Sequence, residues 1–213
     1  MDFFDTWFDK DFTYNSYIDT LEKLLKLDKP YWPLMSQSEM PFFHMIFDYN
    51  MESVKQDVLE IYNTATKEQI VPKENDEGQK DWYIIKLNSI PKNLETFLTK
   101  FTVTNDTTWI SVVKGNGGFI GAHTDTIHPH TKPLHKQRFG VQYPKECKLV
   151  TADGSTNLQD RCTFFNTYRK HGVYNKSSID KIDITFWFDY DKNKNLIESS
   201  TKQSIKSILE NIG

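Results

Sequence analysis

The 213-residue chain predicts a mainly β fold with flanking helices, its strands wound into a double-stranded β-helix, or jelly roll. Three observations carry this expectation. From Trp82 onward the sequence breaks into short β-branched and aromatic runs, each bounded by Gly, Asn, Asp, Pro or Ser. Aromatic residues make up 14% of the chain, with fifteen Phe and ten Tyr, and such side chains suit pleated faces. Helical periodicity is confined to the two ends.

In chain order, "NSYIDTLEKLLKL" places Tyr17, Ile18, Leu21, Leu24, Leu25 and Leu27 near helical spacing, with Asn15 or Ser16 as cap and Pro30 closing the region. "YWPLMSQSEMPFF" reads as an aromatic, proline-bearing connection. In "NMESVKQDVLEIYNTA" the residues Met51, Val54, Val58, Leu59, Ile61 and Tyr62 form the stripe of a second helix, and "VPKENDEGQKD" reads as a polar loop. The strand candidates follow: "WYIIKL", "TWISVVK", "GGFIGAH", "RFGVQYP", "CKLVTA", "RCTFFN", "HGVYN" and "KIDITFWFDY". The tail "STKQSIKSILENIG" returns to a helical period. This pattern describes one domain over 1–213: a helical buttress at 1–80, a β-sandwich core at 81–192 and a C-terminal helix at 193–213.

A chain of this length buries a substantial core without disulfide or metal staples. Its formal net charge of −3 marks no surface for nucleic acid or anionic membrane, so neither is expected as a partner. The start "MDFFDTWFDKDF" lacks a basic segment followed by an apolar one, and no run approaches eighteen apolar residues, so a soluble, cytoplasmic protein is expected. Cys147 and Cys162 lie on opposite arms of a candidate hairpin; with no export signal, free buried thiols are expected.

The chemistry concentrates in "GGFIGAHTDTIHPH". His123 and Asp125 are one residue apart at a strand end, and extended backbone projects positions i and i+2 from the same face. An imidazole and a carboxylate on one side of an ion are two thirds of the facial triad of non-haem Fe(II) oxygenases. The third ligand has five candidates: His44, His128, His130, His135 and His171. His44 sits among apolar residues and reads as a packed histidine. His128, His130 and His135 fall in a proline-bearing loop with no cysteine and no closed zinc spacing. His171 opens a strand well downstream, and a β-sandwich brings such distant strands side by side. It is the candidate that completes the set. Two cations, Arg138 in "KQRFGVQYP" and Lys181 opening "KIDITFWFDY", stand beside apolar strands, and either can neutralise a buried carboxylate of a metal-chelating 2-oxoglutarate.

From "WISVVKGNGGFIGAHTD" to "KIDITFWFDYD" the chain resembles the Fe(II)/2-oxoglutarate-dependent oxygenases, and within them the aspartyl/asparaginyl β-hydroxylase-like group. "GGFIGAHTD" resembles the strand end with the first iron ligand. "KQRFGVQYP" resembles the family's R-x-H-L-G-L-x-x-P strand, with Lys136 at its first basic position and Arg138 at its histidine. "CTFFNTYRKHGVYN" resembles I-F-D-D-x-x-x-H-x-V-x-N, with His171 as distal ligand. Lys181 stands at the arginine that grips the cosubstrate. Retention of Asp125 makes the chain look closer to the free amino-acid hydroxylases that keep the HxD pattern. The resemblance implies His123, Asp125 and His171 on Fe(II), Arg138, Lys181 and Lys136 around 2-oxoglutarate, O2 as co-reactant, and hydroxylation of an amino acid, peptide or small molecule. The competing expectation is a cupin-type metal-binding β-sandwich without oxygenase activity.

Overall fold

The computed structural model describes residues 43–45, 49–73, 78–100, 108–125, 134–151, 154–164 and 170–189, with seven further positions between 193 and 210. The helix expected at 15–27 lies outside these residues. Each of the seven C-terminal positions is helical, in agreement with the periodicity there.

Helix α1, Met51–Thr64, starts where Asn50 accepts a hydrogen bond from Ser53 N at 3.2 Å. It buries Val54, Val58 and Ile61 along the expected stripe, and also Asp57. That carboxylate accepts from Leu94 N at 2.7 Å and Asn93 Nδ2 at 3.1 Å, so it serves the unsatisfied amino end of a second helix, α2, Lys92–Lys100. Helix α2 was not among the expected elements, although Leu94, Phe97 and Leu98 carry its i, i+3, i+4 signature.

Among the described residues, eleven strands form two antiparallel sheets. They are β1 Phe43–Met45, β2 Ile70–Pro72, β3 Trp82–Lys86, β4 Trp109–Val113, β5 Gly118–His123, β6 Leu134–Gln142, β7 Cys147–Thr151, β8 Gly154–Thr156, β9 Cys162–Phe164, β10 His171–Asn175 and β11 Lys181–Asp189. All eight strand candidates are present; β1, β2 and β8 are additional. The larger sheet has the order β1-β9-β6-β11-β4-β3-β2 and the smaller β5-β10-β7-β8. This is the mainly β, double-stranded β-helix architecture expected from the sequence.

Period-two alternation sorts side chains into two layers. Ile182, Ile184 and Phe186 of β11, Phe139 and Val141 of β6, and Ile110 and Val112 of β4 face outward under α1 and α2 in one hydrocarbon core. Val113, Ile120, Tyr143, Cys147, Leu149, Leu158 and Val173 pack between the sheets. Cys147 and Cys162 are free and buried as expected, but they are not hairpin partners: β7 belongs to the smaller sheet and β9 to the larger. Gly140, matched in the resembling segment, crosses so close to Leu158 that a Cβ would overlap the Leu158 carbonyl. No described helix is long and apolar enough to cross a membrane.

Candidate metal centre

His123 ends β5 and His171 begins β10, and the two are direct cross-strand partners. Simple alternation would not place His123 correctly, because Ile120, three residues earlier, already faces the interior. The ladder solves this with a bulge: His171 pairs His123 while Val173 pairs Ile120, so β5 spends one extra residue over Gly121–Ala122. Ile120 and His123 thereby both line the same cavity. Asp125, two residues on, lines it as well.

The three polar ends converge. Nε2 of His123 lies 3.4 Å from Oδ1 of Asp125, and Nε2 of His171 lies 3.7 Å from the same oxygen. The rings are tilted by 50° with centroids 4.4 Å apart. Among the described residues this is the one cluster of three potential ligands, all donor atoms lying within 4.8 Å of one another. Donors bound at about 2.1 Å around one ion stand about 3.0 to 3.4 Å apart, so only a small contraction closes the set. His123 Nδ1 lies 2.8 Å from the Gly121 carbonyl oxygen, which can only accept, so Nδ1 carries the proton and Nε2 presents its lone pair. Two imidazoles and one carboxylate on one wall fit a divalent transition metal and leave its other positions to the cavity.

That cavity, about 510 Å³, is lined by the polar residues His123, Asp125, Arg138, Ser111, Thr185, Lys73 and Gln79 and by the apolar or aromatic residues Trp82, Ile84, Trp109, Ile120 and Pro72. Arg138, on β6, is buried beneath this surface. Lys181, opening β11, is fully buried: its Nζ lies 2.5 Å from Oδ2 of Asp183 and 3.3 Å from Oγ of Ser111. Burial pushes the Lys181 ammonium below the ordinary lysine range; Asp183 opposes that shift and Arg138 adds to it. Lys136 is in β6 with its backbone opposite Trp187, and its side chain lies outside the description. The same holds for His44 in β1 and His135 in β6, while His128 and His130 fall outside the described residues altogether. Of the aromatics in the β region, Trp109 lines the cavity and Tyr143 is buried between the sheets.

Two participants escaped the sequence reading. Ser111 accepts from both Lys181 Nζ and Trp82 Nε1, at 3.3 and 3.1 Å, which fills its lone pairs and leaves its own hydroxyl proton to donate. Its only signal was a lone hydroxyl inside "WISVV". Asp183 is the second, a wholly buried carboxylate two residues from Lys181 on the same face of β11.

The fold is a double-stranded β-helix, and within it two histidines and one carboxylate form a cluster that could hold a metal ion. Among solved structures, the chain is similar to a prolyl-4-hydroxylase of Pseudomonas putida, with TM-score 0.50 and 10% identity over 81% of this chain and 97% of the other. It is also similar to a prolyl hydroxylase of Trichoplax adhaerens in complex with a hypoxia inducible factor oxygen degradation domain peptide fragment, with TM-score 0.52 and 13% identity over 82% of this chain and 94% of the other. At such identities the likeness is one of fold. No family model matches the sequence, and no curated protein matches it.

Proposed function

We propose that this protein is an Fe(II)- and 2-oxoglutarate-dependent dioxygenase that hydroxylates a C–H bond of an amino acid or peptide side chain, in the manner of the aspartyl/asparaginyl β-hydroxylase-like group. The observation that carries the reading is the convergence of His123, Asp125 and His171 at a cavity that His123 and Asp125 line together with Arg138 and Ser111. The prolyl hydroxylase-like fold supports it.

His123, Asp125 and His171 would hold Fe(II), with His123 oriented through the Gly121 carbonyl. When bound, the iron supplies the redox chemistry of O2 with 2-oxoglutarate, which leaves as succinate and CO2. The protein supplies charge, orientation and dryness. The Ser111 hydroxyl, which Lys181 contacts, and Arg138, both lining the cavity, would receive the cosubstrate's distal carboxylate. Trp82, Trp109, Ile84 and Ile120 keep water from the reacting carbon.

The test is anaerobic addition of Fe(II) and 2-oxoglutarate, watching for the weak visible metal-to-ligand charge-transfer band. Iron that binds without producing the band refutes the oxygenase reading and favours a cupin-type metal protein. His171→Ala should abolish the band and His130→Ala should keep it; the reverse would overturn the ligand assignment. Turnover of 2-oxoglutarate screened against free amino acids and Asp- or Asn-containing peptides then identifies the substrate.

A further inference from the structure

The proposed anchor for the cosubstrate already has a carboxylate. Lys181 and Asp183 are both completely buried, lie on the same inward face of β11 and form an ion pair at 2.5 Å. The remaining surroundings of the Lys181 ammonium are also supplied by the chain: Ser111 Oγ of β4 at 3.3 Å and the ring of Tyr143, just beyond β6, with its centroid 5.7 Å away. The ammonium therefore has an anion, a hydroxyl oxygen and an aromatic face around it with no ligand involved.

A lysine holds a carboxylate as a point charge, and that charge divides between two anions that approach it together. Thr185, next along the same face, reaches the other Asp183 oxygen at 3.5 Å and lines the cavity, so both Lys181 and Asp183 touch cavity-lining residues.

We propose that Asp183 is an internal competitor for the cosubstrate: it occupies Lys181, so a dicarboxylic 2-oxo acid shares that cation instead of meeting it bare. Asp183 is thus a specificity-determining residue that weakens the preference for a distal carboxylate. The inference rests on the oxygenase reading, through the assignment of Lys181 and Ser111 to the distal carboxylate.

Isothermal titration calorimetry on the full-length protein loaded with redox-inert Zn(II) separates the possibilities at pH 7. The probes are 2-oxoglutarate and 2-oxobutanoate, which lacks the distal carboxylate. In Asp183→Asn, 2-oxoglutarate should bind about tenfold tighter or more, because a buried ammonium freed of its partner seeks another anion, while 2-oxobutanoate should be unchanged. In a Lys181→Met background the same substitution should have no effect, since the interaction runs through that lysine. Should the amide variant fail to fold, Asp183→Thr removes the charge with a residue suited to a strand and carries the same expectation.

Equal or weaker 2-oxoglutarate binding in the variants, or a gain that persists without Lys181, overturns the role of Asp183 and leaves the oxygenase reading standing. Wild-type protein that holds Zn(II) at His123, Asp125 and His171 yet binds neither 2-oxo acid overturns both.

Discussion

The two faces of β11 belong to different proteins in all but sequence. Outward, Ile182, Ile184 and Phe186 enter an apolar core beneath the helices that, among the described residues, holds no charged side chain. Inward, Lys181, Asp183 and Thr185 stand fully buried among charged and hydroxyl groups beside the candidate metal centre. Six consecutive residues alternate strictly between a layer that holds the fold together and a layer that can do chemistry. Burial is equal on the two sides; the difference lies in what each burial returns. Apolar surface removed from water stabilises outright, whereas a buried ion pair roughly offsets its own desolvation.

The largest break in this division should come from Phe186→Ala. Phe186 meets Phe97 edge-on at a centroid distance of 5.5 Å, and its loss should cost about 3 to 5 kcal/mol in urea unfolding. Metal affinity of the folded fraction should be unchanged. A variant that loses metal binding at normal stability would mean that the layers are not separable.

His171→Ala is the mirror experiment. Zn(II) affinity should fall about 100-fold or more, a loss of about 2.7 kcal/mol, with a much smaller change in the unfolding midpoint of the metal-free protein. In the wild type, Zn(II) at 100 times its dissociation constant should raise stability by about 2.7 kcal/mol, and the variant should lose most of that gain.

Asp180, at the turn before β11, sharpens the comparison because it is a charge used for structure. It accepts from Gly115 N at 3.0 Å, Lys114 Nζ at 3.0 Å and Tyr62 Oη at 2.8 Å. Burial works against its ionised form, but these donors prevail and hold the carboxyl below its usual range. A depressed folded-state pKa gives stability that is present above the unfolded value, near 4, and lost as the pH falls through the folded value. Asp180→Asn should therefore cost about 2 kcal/mol at pH 7, and the difference should shrink in unfolding curves below about pH 3.

The smallest effect belongs to Lys55, whose ammonium meets Asp160 at 2.7 Å at the protein surface. Lys55→Ala should change stability by less than about 1 kcal/mol, and less still in high salt.

The candidate cluster of His123, Asp125 and His171 was legible because its signals are local. The one-residue gap between His123 and Asp125 needs only the period of a strand, and His171 stood out by opening an apolar strand. Ser111 and Asp183 were not legible, since a serine in "WISVV" and an aspartate in "KIDITFWF" acquire meaning only from the lysine they share. Helix α2 is different: Leu94, Phe97 and Leu98 announced it, but nine residues bounded by Pro91 gave too short a run to separate from loop. The strands β1, β2 and β8 are three residues each, and such segments become strands only when a long-range partner completes their hydrogen bonds.

Sequence alone determined which residue types exist to bind a metal and which runs would be strands, because alternation and ligand chemistry are properties of neighbouring residues. Tertiary structure decided the rest. It placed β10 against β5, inserted the bulge that turns His123 inward beside Ile120, and gave Lys181 the carboxylate of Asp183 as a partner. Pairing register and buried charge partners join residues far apart in the chain, or on faces whose neighbours the chain does not name, so they are settled only when the sheets close.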